Sequence, residues 1–219
     1  MADRSPPGAA QYLPRKRSLA TLQDALPKCR GCGLWRAATH AVLGEGPPHA
    51  SLMLVGETPG NDEDLAGRPF VGPAGKLLNS ALEDAELDRE QLYVSNVVKH
   101  FKWEPRGKRR LHKRPSPQEI WACRPWLDAE LDIVQPQAVV CLGATAAQAL
   151  LGRSFRVTKQ RGQLLPSPIA RLVMATVHPA SILRAPTPEE RELERERFVA
   201  DLRVIAAALR AQPMAASAR

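Results

Sequence analysis

The sequence predicts an α/β layered domain built on a mostly parallel sheet, and three observations carry that prediction. Short apolar runs rich in Val, Leu or Met alternate with longer stretches of helical period. Each run is bounded by Gly or Pro. The segments richest in Gly, Pro, Asn and His follow the carboxyl ends of these runs, where sites in open α/β sheets collect.

The runs read as strands are Ala50 to Val55, Leu92 to Val97, Gln137 to Leu142 and Arg171 to Val177. Their near-continuous apolar character is that of central strands buried on both faces. Helices are expected at Pro73 to Ala85, Pro117 to Val134, Ala144 to Leu151 and Pro188 to Ala211. Pro117 and Pro188 fit a first helical turn, and the preceding Ser116 and Thr187 can cap its free amides. With 219 residues, 44% of them hydrophobic, the chain can bury one sizeable core. The expected organisation is one domain over residues 21–212, a flexible basic arm over 1–20 that ends in Pro14-Arg15-Lys16-Arg17, and a tail over 213–219.

A formal charge of +8 points to a polyanionic partner, since Lys and Arg set against phosphates gain affinity by releasing counterions. No apolar stretch is long enough for a membrane helix, and the N-terminus lacks the apolar core of a signal peptide. A cytoplasmic, membrane-free protein is therefore expected, with Cys29, Cys32, Cys123 and Cys141 reduced and available as ligands. Cys29-Arg30-Gly31-Cys32 plus two distant cysteines suits a 4Fe–4S cluster, and on spacing alone a structural zinc suits it nearly as well.

Three loops carry candidate chemistry. The first, Gly56 to Gly75, holds glycines and prolines ahead of a helix, so its backbone can approach a ligand closely and present free NH groups. It matches neither the dinucleotide nor the P-loop fingerprint. Phe70 stands in this polar loop, either to stack on a nucleobase or to plug the loop onto the core. In the second, Asn96 ends an apolar strand, where an amide is costly unless paired. Its donor and acceptor suit the edge of uracil, although a turn cap would look the same. In the third, His178 at a strand end can donate to charge developing on a leaving base, with Ser181 and Arg184 near enough in sequence to hold phosphates. A satisfied structural histidine would read identically.

Gly56-Glu57-Thr58-Pro59-Gly60 with Gly67-Arg68-Pro69-Phe70-Val71-Gly72, then Asn96-Val97-Val98-Lys99, then His178-Pro179-Ala180-Ser181-Ile182-Leu183-Arg184, resemble in order and type the family-four uracil-DNA glycosylases, over about residues 26 to 205. The resemblance implies a three-layer fold with a central four-stranded sheet, and a 4Fe–4S cluster of structural role on Cys29, Cys32, Cys123 and Cys141. It implies a uracil pocket of Gly56, Thr58, Phe70, Asn96 and His178, in which His178 binds the carbonyl where negative charge builds. Glu57 would orient His112 or a water and stabilise positive charge on the sugar.

After Lys99 the chain departs from that family. It runs through a basic segment whose Lys108-Arg109-Arg110-Leu111-His112 core resembles the histidine loop of the UdgX class, which forms a stable covalent bond to DNA that contained uracil. The resemblance implies capture of the deoxyribose C1′ by His112, with Lys108, Arg109 and Arg110 on the DNA. The surrounding cations, Lys113 and Arg114 among them, are expected to keep that imidazole neutral and nucleophilic by repulsion. Thr58 departs from both patterns, which lead one to expect Gln or Ala there. The alternatives are a conventional multiple-turnover enzyme that releases free uracil, and a non-catalytic single-stranded DNA-binding protein. Uracil-containing DNA, single-stranded by preference, is the expected partner of a monomer.

Overall fold

The structure is a computed structural model, and it describes residues 8–211. The elements run α1 (Leu19–Ala25), β1 (Leu52–Gly56), α2 (Asn61–Ala66), α3 (Pro73–Asp84), β2 (Tyr93–Asn96), β3 (Trp103–Arg106), β4 (Arg109–His112), α4 (Pro117–Val134), β5 (Ala138–Leu142), α5 (Ala144–Leu151), α6 (Val157–Gln160), β6 (Leu172–Thr176), α7 (Pro179–Leu183) and α8 (Pro188–Arg210). Four strands form one parallel sheet in the order β2-β1-β5-β6, as the apolar runs predict. The chain steps outward from β1 in both directions, so a crevice opens beyond the carboxyl ends of its central strands.

Alternation along the strands sorts the core into two layers. Met53, Val55, Val139, Cys141, Val173 and Ala175 pack on one face with Leu22 of α1, Trp126 of α4 and Ala146 of α5. Leu52, Leu54, Val140, Leu142 and Met174 pack on the other with Leu78 and Leu82 of α3 and Phe198, Leu202 and Ile205 of α8. Each Val, Leu, Ile, Met or Phe among them, withdrawn from water, contributes roughly 1.5–3 kcal/mol before chain entropy is charged against it. Helix starts follow the predicted capping: Ser116 Oγ accepts from Glu119 N and Thr187 Oγ1 from Glu190 N.

Two expectations change. The expected arm over 1–20 falls outside the described residues for 1–7, and from residue 8 part of it packs, whereas Arg15, Lys16 and Arg17 of its basic run are exposed. Ala9 is buried, its N–H donates to Ala122 O at 2.8 Å, and Ser18 caps α1 through a reciprocal bond with Thr21. Small residues seated against α4 give no periodic signal, which is why the sequence reads as unstructured there. The tail over 213–219 lies outside the described residues.

The basic segment after Lys99, expected only as a loop, is a β-hairpin in which β3 and β4 pair antiparallel, Trp103 opposite His112. Its two-residue turn, Gly107-Lys108, has Gly107 at φ +59°, the glycine-first arrangement of a II′ turn. No helix among the described residues is long and apolar enough to cross a membrane.

Candidate active site

Three strand ends converge. Gly56 is in register with Asn96, and the loop that follows β1 folds over both. A Cβ on Gly56 would lie 2.4 Å from Asn96 Oδ1 and 2.8 Å from Phe70 Cζ, so only glycine lets strand, amide and ring meet here. Phe70 is held at φ +54°, a left-handed conformation that an aromatic residue adopts only under external constraint. The constraint is visible: Glu63 Oε1 accepts from Gly72 N at 2.7 Å and Oε2 from Gly60 N at 3.0 Å, pinning both ends of the loop.

A cavity of about 580 Å³ opens at this point, lined by Glu57, Thr58, Phe70, Asn96, Leu111, His112, Arg114, His178 and Arg184 among others. The Asn96 amide lines this cavity and makes no side-chain hydrogen bond among the described residues, although its residue is buried. Its backbone is anchored from behind: Lys99 Nζ donates to Asn96 O at 2.7 Å and pairs with the fully buried Glu130, which also accepts from Ser95 and Tyr93. Breaking such a pair by removing one partner costs about 3–5 kcal/mol.

His178 caps α7, its Nδ1 accepting from Ala180 N at 3.1 Å. A ring nitrogen that accepts carries no proton, so the proton sits on Nε2. Burial pushes this imidazole down to about 4, and Arg184 and His112 act in the same direction. The ring is thus neutral at physiological pH and offers one N–H. It lies stacked 6.2 Å from the Phe70 ring. A Cβ on Gly143, itself at φ +91°, would lie 2.9 Å from His178 Cβ, so glycine lets the turn after β5 pass close to the histidine.

Opposite His178, the hairpin carries His112 over the cavity, with Nε2 4.0 Å from Glu57 Oε1. Glu57 Oε2 accepts a short bond from Thr145 Oγ1, which itself accepts from Arg114 Nε at 3.0 Å. Thr145 is a residue that the sequence reading missed. The signal was its place just beyond the carboxyl end of β5, the one strand end not treated as a site loop. The His112 imidazole is lowered from its ordinary value as expected, but the cause differs: burial comes first, Glu57 opposes it, and Arg184 supplies the repulsion. The basic segment's own cations are not among its causes: Arg110 is turned to Asp64 and Lys113 to Glu104, while Arg114 lines the cavity with its guanidinium bonded to Thr145.

Arg110 shows where one of them goes. Its Nη1 donates to Asp64 Oδ2 at 2.6 Å, its Nε to Asn61 Oδ1 at 2.8 Å, and it stacks over Phe101 and Trp103. That guanidinium ties the hairpin to α2, and the expected place on DNA is left to Lys108 and Arg109, which are exposed. Thr58 lines the cavity but its hydroxyl donates to His100 O at 2.8 Å. Ser181 Oγ donates to His178 O at 2.7 Å, bracing the histidine backbone, while Arg184 lines the cavity.

The cysteines lie apart from this cavity. Cys29, Cys32, Cys123 and Cys141 are all buried and unpaired with one another. Trp126 Nε1 donates to Cys29 Sγ at 3.3 Å and Lys99 N to Cys123 Sγ at 3.2 Å. Cys141 lies in mid-sheet, between Val55 and Ala175.

The sequence matches the model of the Uracil DNA glycosylase superfamily over residues 43–203. It is 39% identical to the Type-4 uracil-DNA glycosylase of Sulfurisphaera tokodaii, over 83% of this chain and 82% of that one. It is 36% identical to the Type-4 uracil-DNA glycosylase of Thermotoga maritima, over 83% and 92% of the two chains. A Type-5 uracil-DNA glycosylase from Thermus thermophilus is 31% identical over 72% and 75%.

Proposed function

Because the chain belongs to the uracil-DNA glycosylase superfamily, we propose that its cavity receives a deoxyuridine flipped from DNA and cleaves the bond between base and sugar. The observation that carries this reading is the Ala180 N to His178 Nδ1 bond, which leaves a neutral imidazole with its one N–H on Nε2. When the bond breaks, the electron pair passes to the uracil ring and its carbonyl oxygen, and a preorganised donor stabilises that charge more than it stabilises the uncharged substrate. The Asn96 amide accepts from uracil N3–H and donates to O4. Phe70 stacks on the ring, and the wall of Gly56 and Thr58 closes the floor.

The sugar is left electron-poor at C1′. Glu57, fixed by Thr145, supplies the opposing negative charge and takes a proton from an attacking water, so that an abasic site and free uracil result. The Type-4 names of the relatives favour this conventional, multiple-turnover course. A second outcome has one observation of its own: His112 Nε2 stands 4.0 Å from Glu57 Oε1, the carboxylate that would hold that water. In this course the C1′–N1 bond breaks with its electron pair on uracil, a lone pair on His112 Nε2 forms a bond to C1′, the Nδ1 proton passes through solvent to the uracil anion, and the protein stops as a covalent adduct.

Exposed Lys108 and Arg109, with Arg184 at the rim, suit the phosphates on either side. Single-stranded substrate is preferred, because flipping then costs a few kcal/mol less. In this reading the protein acts as a monomer. Buried thiols with N–H donors aimed at them fit a 4Fe–4S cluster, of which Cys29, Cys32 and Cys123 are ligands by this reading and Cys141 is the remaining thiol. Such a cluster supplies a cross-link between the N-terminal segment and α4.

The test is a count of free uracil per protein chain on excess uracil-bearing single-stranded oligonucleotide, with thymine DNA as control and a denaturing gel alongside. Many uracils per chain and no retarded band favour turnover. One uracil per chain with a denaturant-resistant band favours capture, and His112→Ala is then expected to lose the band while still releasing uracil. No base release from either DNA would sink the enzymatic reading and leave the strand-binding one.

A further inference from the structure

The cluster reading leaves its fourth ligand open, and the geometry around three of the thiols narrows the choice. Cys29 and Cys32 flank a two-residue loop, and Trp126, one turn beyond Cys123 on α4, donates its indole N–H to Cys29 Sγ. These sulfurs therefore share one end of α4. Lys99 N reaches Cys123 Sγ at 3.2 Å, which brings the very next residue, His100, to the same place. Hydrogen bonds from N–H groups to sulfur are what surround cluster thiolates and help to set their potential.

Cys141 is placed differently. Its backbone is laddered between Val55 of β1 and Ala175 of β6, so it cannot leave the sheet, and no hydrogen bond among the described residues is aimed at its sulfur. Its thiol is raised by burial alone, whereas Cys29 and Cys32 both act on Cys123. It packs as a small apolar residue would.

His100 carries the opposite signature. Its residue is 4% exposed, yet among the described residues its Nδ1 has no hydrogen-bond partner. A buried ring nitrogen left unpaired needs an explanation, and a missing ligand is one. The backbone is fixed on both sides, by the antiparallel bridge to Ala41 and by Thr58 Oγ1 on its carbonyl. The ring is therefore held in place.

Resting on the cluster reading, we propose that His100 Nδ1 is the fourth ligand of the 4Fe–4S cluster, beside the thiolates of Cys29, Cys32 and Cys123, and that Cys141 is a core residue. Substitution of thiolate by imidazole on an iron is known chemistry for protein clusters and raises the reduction potential. No three His, Cys, Asp or Glu groups among the described residues converge on one point as zinc requires. A cubane spreads its ligands over four irons and asks for no such convergence. The assignment also ties the cluster to the site: His100 lies two residues ahead of Lys102, whose carbonyl accepts from Lys113 N at the base of the His112 hairpin.

The experiment uses the full chain purified without oxygen. Iron and sulfide are counted per chain, and iron-57 Mössbauer spectra are taken of the unaltered protein in its resting state. The expected result is one iron site distinct from three, full iron in Cys141→Ala, loss of most iron in His100→Ala, and recovery in His100→Cys with a lower reduction potential. Four equivalent thiolate-bound sites, or iron lost from Cys141→Ala and kept in His100→Ala, would overturn the assignment while leaving the cluster. Should His100→Ala fail to fold, the spectrum of the unaltered protein decides. A chain with no iron at all overturns the cluster reading itself.

Discussion

Asn96 shows how much one residue can disclose. An amide at the end of an apolar strand stands out in the sequence because it costs free energy there, and among the described residues that amide has no hydrogen-bond partner at the cavity wall. Aspartate in its place would accept but could not donate, so it would oppose uracil O4 and suit the exocyclic amine of cytosine. Asn96→Asp is expected to slow uracil release by roughly 100-fold or more, since a polar site left mismatched discriminates strongly. Initial rates on uracil DNA measure this, and an unchanged rate would remove Asn96 from base reading. His178 was legible for the same reason, as a polar residue at a strand end. Thr145 was not, because it acts through bonds to Glu57 and Arg114, which are distant in sequence, and Glu63 was not, because its carboxylate matters only once the folded loop brings Gly60 and Gly72 to its two oxygens. Arg110 looked like one more cation in a basic run until Asp64, 46 positions away, claimed it.

At the level of elements, the loop from β1 to α3 is set by a close approach. A Cβ on Gly75 would lie 1.7 Å from Phe70 O, inside covalent range for a non-bonded pair, so α3 can begin under the strained Phe70 backbone only with glycine at that position. Gly75→Ala must push the loop off the helix. The expected cost is about 1–3 kcal/mol, by the measure of overpacked cores, and with it most of the uracil release. Thermal melting beside the release assay checks both, and a variant as stable and active as the parent would show that the loop has slack. The strands were legible because a parallel strand buried on both faces must be apolar throughout. The hairpin was not: Trp103-Glu104-Pro105-Arg106 has no alternation, and its stability comes from the Gly107 turn and from distant anchors, Trp103 Nε1 on Ala37 O and Arg110 on Asp64.

Across the whole molecule, the sheet and its two layers followed from periodicity, whereas the packing of residues 8–20 rested on small side chains whose fit only the assembled α4 face reveals. The molecule as a whole also carries a pH dependence that begins at the site. His178 is neutral when folded, its value pushed from 6.5 down to about 4, so between those values the unfolded chain binds the extra proton. Stability is therefore complete above about pH 6.5 and falls as acid is added towards 4, with His112 acting in the same sense. Melting temperatures across that range are expected to drop, and less steeply for His178→Gln; equal slopes would mean that other groups govern the loss. The most direct measurement is a crystal structure of the chain with an oligonucleotide carrying an uncleavable carbon-linked deoxyuridine. The account predicts the flipped ring over Phe70, its edge on the Asn96 amide, a carbonyl at His178 Nε2 and C1′ facing Glu57 and His112. A base that stays stacked in the strand, or that lodges along the hairpin with the cavity holding only water, would contradict it.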